Sequence, residues 1–248
     1  MAHKDRESAI LEYLQARGEC SVCELCRALF VREPTMRRDL GALNAAGKII
    51  RTHGGAAPRS TPGENLPQAY REREQSEAKL AIGKRCLSLI RDGDTIMVDG
   101  SSTAQALLRV IGSKTSLVVV TNHAKAPELV GEGKVKLFVT GGEPAPNAYA
   151  YVGSHAEEFF RQFHADICFF SVRRLTSDGR LTDNALAENA VRRAMLAASG
   201  RRVLMLDSKK LGEPCMHTLC RLEEITHVVS ERDISASFPA YREKFLCP

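Results

Sequence analysis

Residues 31–40 read VREPTMRRDL and residues 47–56 read GKIIRTHGGA, and these two stretches decide how the first quarter of the chain folds. Proline is tolerated in the first turn of a helix, so Glu33-Pro34 marks a start. Met36, Leu40 and Leu43 then recur on one helix face as far as Gly47. Thr35, Arg37 and Arg38 stand at the N-terminal end of that helix. The two arginines are neighbours about 100° apart on it, so they point in different directions. Lys48–His53 reads as a short strand closed by Gly54-Gly55.

Working outward, two more helices precede this one. Ile10, Leu11 and Leu14 fall at helical spacing until Gly18 stops the run. Ser21-Val22-Cys23-Glu24 is a capping box, in which hydroxyl and carboxylate each bond the other residue's amide. A second helix therefore starts at Ser21 and turns Val22, Leu25 and Leu29 inward. Three short helices and a strand form the layout that presents one helix to a DNA major groove. There the residues at the helix N-terminus meet base edges. One of Arg37 and Arg38 suits a guanine edge and the other a phosphate. An arginine pair taken alone is also what any solvated helix face shows. Cys20, Cys23 and Cys26 are spaced by threes, but no fourth thiol or histidine nearby completes a tetrahedral metal set. They are expected to be small hydrophobes on an inward helix face; a metal or redox role is the alternative.

The chain has 248 residues, enough for a small domain and a larger one, each with its own core. A net charge of +5 permits a polyanionic partner without demanding one. No stretch approaches the roughly 20 apolar residues of a membrane span, and no apolar signal core opens the chain. A cytoplasmic protein without metal or cofactor is expected. Pro, Gly and Ser crowd residues 56–67, so a linker over 57–75 is expected to separate residues 1–56 from a second domain over 76–248.

A long helical pattern runs from Tyr70 to Ile90. Strand candidates then follow at Thr95–Val98, Leu117–Val120, Val135–Val139, Asp166–Phe170, Arg202–Leu206 and Thr226–Val229. Between them lie helical stretches such as Ser102–Ile111, Lys125–Glu132, His155–Phe163 and Leu186–Ala198. Apolar strands alternating with helices predict an α/β fold with a largely parallel sheet. Three polar turns close the first three strands: Asp99-Gly100-Ser101-Ser102-Thr103, Thr121-Asn122 and Gly141-Gly142. Such turns converge at the carboxyl edge of a parallel sheet, where ligands bind, and their amides and hydroxyls suit a phosphate. Ordinary caps and turns use the same residues.

Residues 6–57 resemble the N-terminal domain of the DeoR family of bacterial repressors. The resemblance rests on the spaced Ile10/Leu11/Leu14, on Ser21-Val22-x-Glu24-Leu25, and on the two stretches quoted first. It implies a winged helix-turn-helix that binds double-stranded operator DNA, with Lys48–His53 as the wing. The candidate contacts are Arg32, Thr35, Arg37, Arg38, Lys48, Arg51, Thr52 and His53. Relatives usually carry serine where Arg32 stands and lack Pro34. Arg32 cannot accept the amide bonds of a cap, a loss of about 1 kcal/mol. Glu33 is expected to cap in its place, with Pro34 first in the helix.

Residues 76–230 look like the family's sensor domain, which is similar in fold to ribose-5-phosphate isomerase and binds phosphorylated sugars. The segments that carry this likeness are D99-x-S-S-T103, T121-N122, G141-G142, Y151-V-G153 and D207-S-K-K210. It implies that Ser101, Ser102 and Thr103 hold the phosphate, that Asp99 and Asn122 meet sugar hydroxyls, and that Lys209 supplies positive charge. Thr121, Gly141 and Gly142 complete the effector set. After Asp166–Phe170 relatives carry a glycine-containing loop, where this chain has Ser171-Val172-Arg173-Arg174-Leu175. Arg173 joins the set if that loop faces the ligand and is merely solvated if it turns outward.

The resemblance implies a repressor of sugar metabolism, active as a homo-dimer or tetramer, with a phosphorylated sugar controlling it. An isomerase-like enzyme would need a carboxylate base and a lysine near the sugar carbonyl. Ser171–Thr176 holds neither, so no enzyme activity is expected. A DNA-binding activator whose second half only oligomerises is the remaining alternative.

Overall fold

Ile10 and Leu14 lie fully buried on α1 (His3–Arg17), which ends where Gly18 takes φ +80 and returns its N–H to the Leu14 carbonyl at 2.7 Å. Positive φ is open to glycine at little steric cost. The computed structural model describes residues 3–52, 54–58, 68–131, 133, 135–146 and 148–246. The chain divides into two units, one up to Glu74 and one from Gln75.

In the first unit, β1 (Cys20–Ser21) leads into α2 (Val22–Leu29) through the expected capping box. The Glu24 amide donates to Ser21 Oγ at 3.1 Å and the Ser21 amide donates to Glu24 Oε2 at 2.8 Å. Next come α3 (Glu33–Ala45), β2 (Ile49–Thr52), β3 (Gly55–Pro58) and α4 (Gln68–Arg73). The strands form an antiparallel sheet in the order β1-β3-β2. Leu25, Met36, Leu40, Leu43 and Ile49 close the core over Ile10 and Leu14.

Strand β3 extends through Ala57 and Pro58, and α4 forms at 68–73, both inside the stretch expected to be a linker; residues 59–67 of it lie outside the described residues. The single helix expected over Tyr70–Ile90 is interrupted. Gln75 takes φ +54, in the left-handed region, so α4 stops and α5 (Ser76–Cys86) starts afresh.

The second unit is built on seven strands: β4 (Thr95–Val98), β5 (Val118–Thr121), β6 (Lys136–Val139), β9 (Ala165–Phe170), β12 (Ser199–Met205), β14 (His227–Val229) and β15 (Phe245–Leu246). All run parallel, in the order β15-β14-β12-β9-β4-β5-β6. Phe169 and Phe170 on adjacent positions of β9 are both fully buried, because helices cover both faces. One face packs Ile82 of α5, Leu107 of α6 (Ser102–Leu108) and Ala126 of α7 (Ala126–Val130) in one cluster with Ile96 and Phe169. The other packs Phe160 of α8 (Ser154–Arg161) with Val191 and Met195 of α9 (Leu186–Ala197) against Phe170 and Leu204.

Further short strands had no counterpart in the apolar pattern. β7 (Glu143–Pro144) and β8 (Tyr151–Val152) form a hairpin beyond β6. β10 (Arg174–Leu175), β11 (Arg180–Asp183) and β13 (His217–Arg221) form a separate antiparallel sheet.

Candidate functional site

In the first unit, α3 leaves Arg32, Arg37 and Arg38 exposed and Thr35 half-buried, while Met36 and Leu40 anchor the opposite face. Arg32 is the N-cap, with φ −70 and ψ 144 and no side-chain hydrogen bond. Glu33 therefore does not cap, and Pro34 falls second in the helix, where its missing N–H still costs no helix bond. Glu33 instead accepts from Arg37, with Nη2 at 2.7 Å from Oε1. An exposed pair one helical turn apart is worth about 0.3–0.5 kcal/mol, so Arg37 is released to a stronger anion at little cost.

Asp39, the acidic residue of the RRD run, is fully buried and binds Arg6 of α1, with Arg6 Nη2 donating to Oδ1 at 3.2 Å. That pair fixes α3 to α1 and holds the Arg6 pKa above its ordinary value. Lys48 is exposed; Arg51 and Thr52 are half-buried on β2, and the Arg51 amide donates to Asn44 Oδ1 at 3.1 Å. His53 lies outside the described residues. The cysteines separate in kind. Cys20 is buried and Cys26 half-buried, but Cys23 is exposed, because Val22 and Leu25 take the inward face of α2 and leave Cys23 turned from it. Among the described residues, no three metal-binding side chains converge.

In the second unit, the adjacent strands β12, β9, β4 and β5 end in Asp207, Ser171, Asp99 and Asn122. Asp99 is almost completely enclosed. Its Oδ1 accepts from the Ser101 amide at 3.2 Å and hydroxyl at 2.6 Å; its Oδ2 accepts from Arg192 Nε at 2.8 Å and, at 3.5 Å, from the Ser171 amide. Expected on a sugar hydroxyl, this carboxylate is instead engaged on all sides and holds the turn in shape.

Arg192 of α9 is the centre of a buried cluster. It meets Asp99 at 2.8 Å, Asp183 of β11 at 3.1 Å and Glu188 at 3.0 Å, and also donates to Asn189 Oδ1 at 3.1 Å. Burial works to lower the Arg192 pKa, but Asp183, Asp99 and Glu188 outweigh it and hold the guanidinium charged. Of this cluster only Asp99 was marked by a strand end; Asp183, Glu188, Asn189 and Arg192 were not. Glu188 and Arg192 lie one turn apart on the buried side of α9 with Asn189 between them, and this inward polar stripe is the signal that could have found them.

Lys209, the lysine expected at the phosphate, is exposed. Its neighbour Lys210 points into the strand ends, donating to Ser171 Oγ at 2.8 Å and Thr103 Oγ1 at 3.0 Å, with Asp207 Oδ2 at 3.7 Å. The 3-10 turn over Ser208–Lys210 sets which lysine points inward. Glu231 secures that turn by accepting from the Ser208 amide at 3.1 Å.

Other expected residues are placed as follows. Ser101 Oγ is occupied as the cap of α6, accepting from the Ala104 amide at 3.1 Å. Thr121 Oγ1 donates to the Val98 carbonyl at 2.6 Å and accepts the His123 amide at 3.0 Å, so it ties β5 to β4. Ser102 is buried beside Thr103. Asn122 donates to the Tyr151 carbonyl at 2.9 Å, while its buried Oδ1 has no hydrogen-bond partner among the described residues. Gly141 and Gly142 are exposed at the end of β6. The β7–β8 segment drapes over Gly100, where a Cβ would come within 2.5 Å of Ala150 Cβ. Arg173 and Arg174 are half-buried at β10, and Arg174 lies along the backbone of Lys209 and Gly212. His123 is buried between Gln105 and the Lys125 amide, and burial, with Lys125, pushes its pKa down to about 4 against the pull of Asp99.

Residues 6–61 match the DeoR-like helix-turn-helix domain and residues 74–232 match the DeoR C-terminal sensor domain. The HTH-type transcriptional regulator GolR of Listeria innocua is 29% identical over 93% of this chain and 91% of its own. The L-fucose operon activator of Haemophilus influenzae is 28% identical over 96% of each chain. The glycerol-3-phosphate regulon repressor of Escherichia coli is 28% identical over 93% of this chain and 92% of its own. These relatives are named as regulators, not enzymes. Among solved structures, ribose 5-phosphate isomerase A of Methanocaldococcus jannaschii superimposes with a TM-score of 0.43 at 16% identity, over 56% of this chain and 55% of that one.

Proposed function

Because the chain belongs to the DeoR family of transcriptional regulators, we propose that it represses a sugar-metabolism operon and that a phosphorylated sugar bound to the second unit controls it. Lys210 carries the effector half of this reading. Its ammonium sits on the hydroxyls of Thr103 and Ser171, where strand ends meet, and a phosphate accepts strongly from such a charged donor. Ser102 and Thr103 join it on the phosphate, and the unpartnered Asn122 Oδ1 takes a sugar hydroxyl. Asp99 shapes the turn from behind.

In the first unit Arg32, Thr35, Arg37 and Arg38 read the major groove, with Lys48 and Arg51 on the wing. The regulator works in the cytoplasm as a homo-dimer or tetramer, since half-sites spaced by helical turns need a symmetric partner. The effector then biases a two-state assembly toward or away from the DNA.

The test is a thermal-shift screen of sugar phosphates on the wild type, Lys209→Met and Lys210→Met. A ligand at about 100 times its Kd stabilises by about 2.7 kcal/mol. One sugar phosphate should raise the melting temperature of the wild type and Lys209→Met but not of Lys210→Met. A folded protein that no sugar phosphate shifts would overturn the sensor reading. A relative named as an operon activator supports the opposite regulatory sign as a second reading; loss of reporter expression on deleting this protein would establish it.

A further inference from the structure

Free cysteine is among the residue types most often buried, yet Cys23 is exposed on α2, three positions before the half-buried Cys26. Side chains three apart on a helix are neighbours, with Cβ atoms about 5–6 Å apart. A disulfide needs them about 3.5–4.5 Å apart, so a closure of roughly 1–2 Å joins the two sulfurs. Cys20 stands outside this pair: it is buried, with its thiol on the Gly18 carbonyl at 3.6 Å.

Closing the pair would be felt in the turn to α3. The Cys26 carbonyl accepts from the Val31 amide at 3.1 Å and from the Phe30 amide, so both bonds of that turn hang from one residue. Phe30 sits there at φ +53 and ψ 41, a left-handed conformation that is costly for a bulky side chain. Its ring is 96% exposed and contributes no packing there, while Leu29 and Val31 on either side rest against the core. A tether that draws Cys26 along α2 therefore pulls on a strained turn and on the core packing of Leu29 and Val31 together.

We propose that Cys23 and Cys26 are a modification site for a hydroperoxide, and that the disulfide they form disables the reading helix. The Cys23 thiolate attacks one peroxide oxygen and breaks the O–O bond, giving Cys23 sulfenic acid and, after protonation of the leaving oxygen, water or an alcohol. The Cys26 thiolate then attacks the Cys23 sulfur and expels hydroxide, which leaves as water. Two thiols lose two electrons and two hydrogens to the peroxide. Burial, ahead of the charge of Glu33, holds the Cys26 thiol pKa up, so few Cys26 thiols are ionised to meet the peroxide first, and the accessible Cys23 takes that step.

This inference rests on α3 as the DNA reader, and the experiment separates the two. The full chain is treated with hydrogen peroxide, its remaining thiols are alkylated, and the products are mapped by mass. Binding is followed on a DNA fragment selected from a random pool by the reduced protein. We expect a Cys23–Cys26 crosslink, a fall in DNA affinity of about tenfold or more, and recovery on adding dithiothreitol. Cys23→Ser and Cys26→Ser should each bind DNA as the reduced wild type does and keep that affinity in peroxide. Absence of the crosslink, unchanged affinity once it has formed, or a Cys23→Ser protein still inactivated reversibly would overturn the proposal. A reduced protein that selects no DNA would overturn the reading of α3 instead, and the crosslink would still be scored by mass and by a lowered melting temperature of the first unit.

Discussion

Replacing Arg192 with methionine tests whether the second unit is held by the cluster beneath its strand ends. The guanidinium is 4% exposed and serves three carboxylates at 2.8, 3.1 and 3.0 Å. Methionine fills much of the same volume, so the perturbation is chiefly electrostatic. Removing one partner of a buried ion pair costs about 3–5 kcal/mol, because the other charge is left uncompensated. Here three carboxylates lose their shared cation, which places the cost near the upper end, about 5 kcal/mol. With a urea m-value of about 2 kcal/mol/M, the midpoint should fall by roughly 2.5 M. The chain has no tryptophan, so the transition is best followed by amide exchange in α9 and β9 at pH 7. Exchange in α1 and α3 serves as the internal control and should not move. Adding Asp99→Asn, Asp183→Asn and Glu188→Gln removes the stranded charges and should restore at least half of the loss. A fall of less than about 1 kcal/mol in the single variant, the range of an exposed pair, would refute the account of the cluster.

Gly55→Ala places a Cβ 2.2 Å from the Cys20 carbonyl oxygen; overpacking of this kind costs about 1–3 kcal/mol, and the first unit should melt earlier while the second does not. His123 titrates against folding. Its pKa is about 4 in the folded chain and 6.5 when free, so the stability is complete above pH 6.5 and is lost as pH falls towards 4. The total is about 3 kcal/mol at about 1.4 kcal/mol per unit; His123→Gln should flatten the profile over that window, and an unchanged slope would show that another group sets it. Changing Arg37 and Arg38 together to alanine should abolish specific DNA binding, measured by fluorescence anisotropy at physiological salt, and leave the second unit's melting unchanged; retained specificity would mean that another surface reads the DNA.

Local chemistry made the reading domain legible in the chain. The capping box at Ser21 and Glu24, the stop at Gly18 and the apolar spacing of Met36, Leu40 and Leu43 involve neighbours a few residues apart, and each forms as expected. All of the parallel strands but β15, which no strand candidate covered, were legible for a related reason. A strand buried on both faces is a continuous apolar run whatever its partners, as in β9. What sequence spacing could not supply was partnership over long separations. β3 is Gly-Ala-Ala-Pro, a poor strand former, and exists because β1 and β2 offer hydrogen bonds on both sides. Asp39 finds Arg6 across 33 positions, and Asp99 finds Arg192 across 93.

The stretch from Ile10 to Ala56 thus determined by itself that this chain carries a helix-turn-helix, because its apolar spacings, its capping box and its glycine stop are local signals that agree with one another. Tertiary structure decided which charged residues are available to a ligand. Lys209 and Lys210 are adjacent and chemically identical, and only the turn secured by Glu231 points one outward and the other onto Thr103 and Ser171. Asp99 has the side chain suited to a sugar hydroxyl, yet the arrival of Arg192 from another helix takes that capacity. A side chain's chemistry is written in the sequence, but its free valences are what remains after folding has assigned its neighbours.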